Sequence, residues 1–127
     1  MVESDQILKD IREIKWHQES IDGSMELLIK ANRDAILPEI MKFFGRSRRR
    51  AEIFLAVNGK RAVREIAEIL GMKESNVSRE LAKLKREGLI EIKRITSEGY
   101  YIYCKGRVNR ILRISQKLKE KFEVHQF

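Results

Sequence analysis

The stretch VREIAEILGMKESNVSRELAKLKREGLIEIKR, residues 63 to 94, constrains this chain more than any other. Val63, Ile66, Ala67 and Leu70 recur at i, i+3, i+4 and i+7, a one-sided helix that Gly71 stops. Val77, Leu81 and Leu84 give the following segment an inward face, and Gly88 ends it. The turn around Gly71 and Met72 sets how these two helices cross. Ile90 and Ile92 then alternate with Glu91 and Lys93, the period of a half-buried strand. TSEG supplies a turn, and YYIYC pairs back as a second strand rich in β-formers.

Other elements flank this unit. Ser47 is a good N-cap for a helix over SRRRAEIFLAVNG that buries Ile53, Phe54 and Val57 and stops at Asn58-Gly59. Upstream, Ile7, Ile11, Ile14, Gln18, Ile21, Met25, Leu28, Asn32 and Ala35 follow a 4-3-4-3 spacing, the seam of a coiled coil over residues 5 to 35. Gly23 costs that helix about 1 kcal/mol against alanine. Pro38 is expected to interrupt it and to open a short helix that Gly45 ends. Residues 107 to 124 read as a closing helix with Ile111, Leu112, Leu118 and Phe122 on one side.

Charge narrows the partners. The net +8 is uneven: residues 1 to 41 hold five Lys/Arg against nine Asp/Glu, and residues 42 to 127 hold 22 against ten. An acidic arm on a strongly basic body favours a polyanion and disfavours simple adhesion to membranes. No run approaches the roughly 18 apolar residues of a spanning helix, and the polar start MVESDQILKD resembles no signal peptide, so a cytoplasmic chain is expected. Cys104 is the sole cysteine, which rules out an intrachain disulfide and a cysteine-built zinc site; it reads as a small core hydrophobe rather than a redox switch. His17 and His125 stand far apart, so no metal and no cofactor are expected. Without a Gly-rich phosphate loop, nucleophile elbow or paired-histidine motif, an enzyme is not expected either.

Helix, helix, glycine turn, helix and hairpin is the plan of a winged helix-turn-helix, in which one supported helix enters the major groove of DNA. Ser75, Asn76, Ser78, Arg79 and Lys83 form the polar face of the third helix. Arg79, one turn beyond Ser75, is the candidate for bidentate contact with a guanine edge. Arg94, Thr96 and Ser97 sit at the wing, where a minor-groove or phosphate contact is expected, beside the repulsive Glu98. Arg46, Arg48, Arg49 and Arg50 crowd a helix start where cations oppose the helix dipole, which suits a phosphate partner. Lys60, Arg61 and Arg64 extend that basic region.

Residues 63 to 94 closely resemble the DNA-binding core of winged helix-turn-helix transcription regulators of the MarR and ArsR type. The resemblance spans roughly residues 47 to 104 and implies that Ile66-Ala67 and Leu70-Gly71 pack the supporting helix, that Val77-Ser78-Arg79 lies on the recognition helix, and that Glu87-Gly88-Leu89-Ile90 leads into the wing. Where such regulators often carry Ser or Thr caps, this chain has Ala62 and Lys73, so Lys73 or Arg64 would have to meet phosphates by charge.

The expected fold is therefore mainly α with a small β-hairpin wing, a winged helix-turn-helix with N- and C-terminal helical extensions. Residues 1–45 form a helical arm, 46–104 the DNA-binding domain and 105–127 a C-terminal helix. The expected function is sequence-specific binding of double-stranded DNA by a homodimeric transcription regulator, with room for an effector. Ile7, Ile11, Ile14, Ile21, Met25 and Leu28 on the arm, with Ile111, Leu118 and Phe122 on the last helix, would join the subunits. The alternative is a winged-helix protein-interaction module without DNA readout. From Lys73 to Arg94 seven Lys/Arg face four Glu, and a docking version would more often expose apolar residues there.

Overall fold

The computed structural model describes residues 23–127, so the expectations at Ile7, Ile11, Ile14, His17, Gln18 and Ile21 lie outside the described residues. A helical segment, α1, covers residues 23–31 and gives way at Asn32, whose side-chain amide donates to the Leu28 carbonyl at 2.8 Å. The next helix, α2 (Arg33–Phe44), runs straight through Pro38. This corrects the expected interruption at the proline: the break falls earlier, at Asn32 (φ −105°, ψ 19°). Proline takes away the donor for the Asp34 carbonyl, but Asp34 and Pro38 are both exposed, so water can replace it.

Ser47 caps α3 (Arg48–Ala56), its hydroxyl accepting from the Arg50 N–H at 3.2 Å. Then come α4 (Val63–Leu70) and α5 (Glu74–Arg86). Gly71 links them in the left-handed conformation (φ 63°), and the Met72 N–H closes back on the Ala67 carbonyl at 2.9 Å. A side chain at Gly71 would be strained there, which is why the sharp turn needs glycine. Ile53 and Phe54 of α3, Ile66 and Leu70 of α4, and Val77, Leu81 and Leu84 of α5 bury their side chains together in one core.

The hairpin pairs β1 (Ile90–Ile95) with β2 (Tyr101–Lys105), antiparallel, with a bulge at Lys93. An isolated bridge from Ala62 to Ile102 fastens it to the entrance of α4. From β2 the Lys105 ammonium donates to the Leu55 carbonyl at 3.0 Å and to the Val57 carbonyl, tying the root of the hairpin to the end of α3. Burial there, with Lys119 and Arg61 nearby, pulls the Lys105 pKa down to about 8.

The C-terminal part is two helices, α6 (Arg107–Leu112) and α7 (Ile114–Phe122), rather than the single expected one. Arg113 separates them in the left-handed conformation (φ 54°). The Asn109 carboxamide oxygen accepts from both the backbone N–H of Ser115 (2.7 Å) and its hydroxyl (2.8 Å), capping α7 from the helix before it. The kink turns Ile114 and Leu118 into the core of their own chain, where both are fully buried. The architecture is a winged helix-turn-helix, mainly α, with a small antiparallel wing.

One ion pair sets how α5 stands against α3. The Arg50 guanidinium donates to the Glu80 carboxylate at 2.8 Å and to the Phe43 carbonyl at 2.7 Å, and lies over the Phe43 ring. Burial alone would raise the Glu80 pKa, but the Arg50 hydrogen bond and charge, with Lys83, leave it below its usual value. A lowered folded-state pKa stabilises above the ordinary carboxylate range, and that contribution is lost as pH falls through the folded value.

Two outcomes are expected. Asn109→Ala should lower stability by about 1–2 kcal/mol, the size of a lost N-cap, measured by urea unfolding. Arg50→Ala should lower it by about 1–2 kcal/mol at neutral pH, short of a fully buried pair. The difference between wild type and Arg50→Ala should shrink as pH falls below the ordinary carboxylate range and through the lowered folded-state value, where Glu80 protonates. A difference that stays constant with pH would show that the pair does not act as a clamp.

Candidate nucleic-acid interface

The geometry of α5 follows from its sequence. With Val77, Leu81 and Leu84 buried, the helical period leaves Ser75, Asn76, Ser78 and Arg79 exposed on its first turns. Lys83 is half-buried on the flank, its ammonium 3.4 Å from Glu80. Neither α4 nor α5 begins with a side-chain cap: Ala62 has none to offer, and its N–H is taken by the Glu65 carboxylate at 3.3 Å, while Lys73 makes no cap bond.

The arginine run at the start of α3 divides into three tasks, because successive helical residues point about 100° apart. Arg48 pairs with Glu52 at 3.3 Å and donates to the Phe122 carbonyl, turning toward α7. Arg50 holds Glu80, as described. Arg49 points toward the exposed face of α5 and donates to the Leu70 carbonyl at the end of α4 at 2.9 Å, a favourable place for a cation. It leaves more than half of its side chain exposed. A recess of about 230 Å³ lies between Ser47, Arg49, Asn76, Arg79 and Lys83. Thus Arg49 and the α5 face come together, although nearly thirty residues separate Arg49 from Arg79 in sequence.

The remaining candidates are more scattered. Arg61 donates to the Ala56 carbonyl at 2.9 Å and stacks over the Phe127 ring, so its guanidinium is held by the chain itself. Arg64 forms an exposed pair with Glu68 at 3.4 Å, and Lys60 is exposed. On the wing, Arg94 and Ser97 are exposed, whereas Thr96 closes the turn, accepting from the Tyr100 N–H at 3.0 Å. The Arg50–Glu80 clamp was not foreseen from sequence: a glutamate on a basic helix carries no sign of a partner two elements away.

Cys104 is half-buried beside the Glu91 carboxylate, 3.8 Å away. Burial and then Glu91 push its thiol pKa up, opposite to the depressed value of a reactive thiolate. Among the described residues, no three His, Cys, Asp or Glu side chains are grouped as a metal ion would need. No described helix is long and apolar enough to cross a membrane.

Comparison with known proteins agrees with this geometry. No curated protein sequence matches the chain. Among solved structures, reduced HlyU from Vibrio cholerae is similar in fold, with a TM-score of 0.52 at 19% identity, covering 82% of this chain and 96% of that one. Residues 49–91 match the family described as "Bacterial regulatory protein, arsR family", a span that takes in most of α3, all of α4 and α5 and the start of β1. Within residues 49–91, then, the chain carries a helix-turn-helix similar to that of the ArsR regulators.

Proposed function

We propose that this chain binds double-stranded DNA in a sequence-specific manner, as a homodimeric transcription regulator. One observation carries the reading: the exposed Ser75, Asn76, Ser78 and Arg79 face of α5 sits beside the Arg49–Lys83 recess, inside a segment that matches a regulatory family. A helix so placed enters a major groove with its N-terminal residues at base edges while the recess receives backbone phosphate. Arg48 and Arg61, held by internal carbonyls, are the weaker members of the phosphate set; Lys60, Arg64, Arg94, Thr96 and Ser97 lie at its margin. A protein-docking winged helix is less well supported, because the large exposed apolar residues among those described are on α1, on α4 at Ile69 and on the wing, with none on α5.

Dimerisation belongs to the same proposal, with the arm over 1–45 and the segment 105–127 flanking the domain over 46–104. Met25 and Leu28 are exposed on α1 (45% and 60%), and an apolar groove runs from them past Ala35 and Ile36. Leu118 is taken up by the core, so any share of the C-terminal helices in a dimer contact falls to the half-buried Ile111 on α6 and Phe122 on α7.

Binding to duplex DNA should weaken steeply with salt, each neutralised phosphate adding about −0.9 to the slope of log K against log salt. On a site enriched from a random duplex library, Arg79→Ala should cost about 1–3 kcal/mol and relax one base position. Arg49→Ala should weaken all sequences alike and reduce the slope by about one. Equal losses of the two variants on specific and non-specific DNA would remove Arg79 as a base reader, and a salt-independent or absent interaction would favour the docking module. For assembly, light scattering on the full chain should show a dimer that Met25→Ser with Leu28→Ser weakens by roughly tenfold or more. A monomeric wild type would overturn this part.

A further inference from the structure

The hairpin carries an apolar stripe that outruns the core. Ile92 pairs with Tyr103 and Ile95 with Tyr101, and Tyr101 and Tyr103 lie on one face of β2 with ring centroids 6.2 Å apart. Ile92 and Ile95 are three apart, so regular alternation would place them on opposite faces. The bulge at Lys93 inserts the extra residue that returns Ile95 to the Ile92–Tyr103 side. Tyr103 is 8% exposed in the core, but Ile95 is 59% and Tyr101 46% exposed beyond it, and Tyr100 beside them is 53% exposed. The tip is held in shape: Thr96 and Tyr100 exchange backbone and side-chain hydrogen bonds at 2.8 and 3.0 Å, and Gly99 closes on the Thr96 carbonyl. A bulge that aims two large apolar side chains at solvent points to a ligand.

We propose that Ile95 and Tyr101 form a wedge at the wing tip that enters the minor groove of duplex DNA, partly unstacks a base step and bends the duplex. The proposal rests on the DNA-binding reading above and adds the shape that the bound DNA takes. The flanking residues fit this occupant. Lys93 and Arg94 are exposed cations behind the wedge, placed for the phosphate walls of a narrow groove. Arg94 lies opposite Ile102 on the other face of the ribbon and Lys93 beside Gly59, while the exposed Glu98 at the tip opposes entry. A two-stranded tip suits the minor groove, about 6 Å wide, in a way a helix does not. Its apolar side chains meet sugars and the opened step, and unstacking is offset by the extra surface that a bend brings into contact. Steps that open easily, pyrimidine followed by purine, would then be preferred at positions no polar side chain reads.

The test uses the full chain and a duplex pool enriched from a random library by the wild type, end-labelled for energy transfer. Wild type is expected to bend these duplexes by roughly 20–90°. Ile95→Ser with Tyr101→Ser should bind with the same salt slope, lose most of the bend and lose roughly tenfold to a hundredfold in affinity. Ile95→Thr, which keeps a strand-forming residue, should show an intermediate bend and guards against a misfolded hairpin. A duplex bound straight by the wild type, or bent equally by all three proteins, overturns the wedge and leaves the DNA reading standing. A double variant that bends DNA normally but no longer self-associates overturns it in favour of a contact between copies of the chain. A wild type that binds no duplex removes the wider reading and the wedge with it.

Discussion

Burial of α3 is the constraint on which the rest depends. From Ala51 to Ala56 every residue is buried, Glu52 included. A helix enclosed on all sides needs a neighbour for each face: α2 through Phe44 and Phe54, whose rings meet edge to face at 5.5 Å, then α4, α5 and α7. Glu52 is admitted because Arg48 lies 3.3 Å from one carboxylate oxygen and Arg49 3.9 Å from the other, which lowers the cost of enclosing its charge. The exposed polar face of α5 and the wing are displayed at fixed positions because both are braced against this rod, one through Glu80 and the other through Lys105.

The same bracing explains how a chain with net charge +8 distributes its cations. Arg48, Arg50, Arg61 and Lys105 reach back to carbonyls at the ends of helices, where orphan acceptors await donors. Each satisfies a group that would otherwise be costly to leave unpaired. Arg49, like Arg48, stays more than half exposed while doing this, and Arg79 is exposed on the outer face of α5 beside the α3–α5 recess. Charge density in sequence and charge density in space therefore differ. Of three adjacent arginines, Arg50 becomes an internal tie to Glu80 and Phe43. Arg48 and Arg49 reach the ends of α7 and α4 and still leave more than half of their side chains exposed.

Much of the site was legible because its signals are local. The apolar period of α4 and α5, the left-handed glycines at 71 and 88 and the polar residues from Ser75 to Arg79 are all written within two or three turns, and the helices formed where the spacing predicted. Errors arose where a distant partner overrode a local preference. Pro38 reads as a stop, yet α2 continues because the lost bond faces water and the helix is anchored by Phe44 in the core. Residues 107 to 124 read as one helix, yet Asn109 caps Ser115 and Arg113 takes a left-handed turn. Local preference opposes such a turn at arginine by about 1–2 kcal/mol, and burial of Ile114 and Leu118 outweighs it.

By itself the sequence determined the order of elements, the three-helix core with its hairpin and which polar residues of α5 face outward, because periodicity and turn chemistry act over a few residues and need no partner. Only the tertiary structure decided which cations face outward, that Leu118 serves the core of its own chain, and that the bulge at Lys93 carries Ile95 back to the face of Tyr101. Those outcomes depend on contacts between residues tens of positions apart. A burial energy of a few kcal/mol at such a contact exceeds the preference of any single residue, and no local pattern records which contact will form.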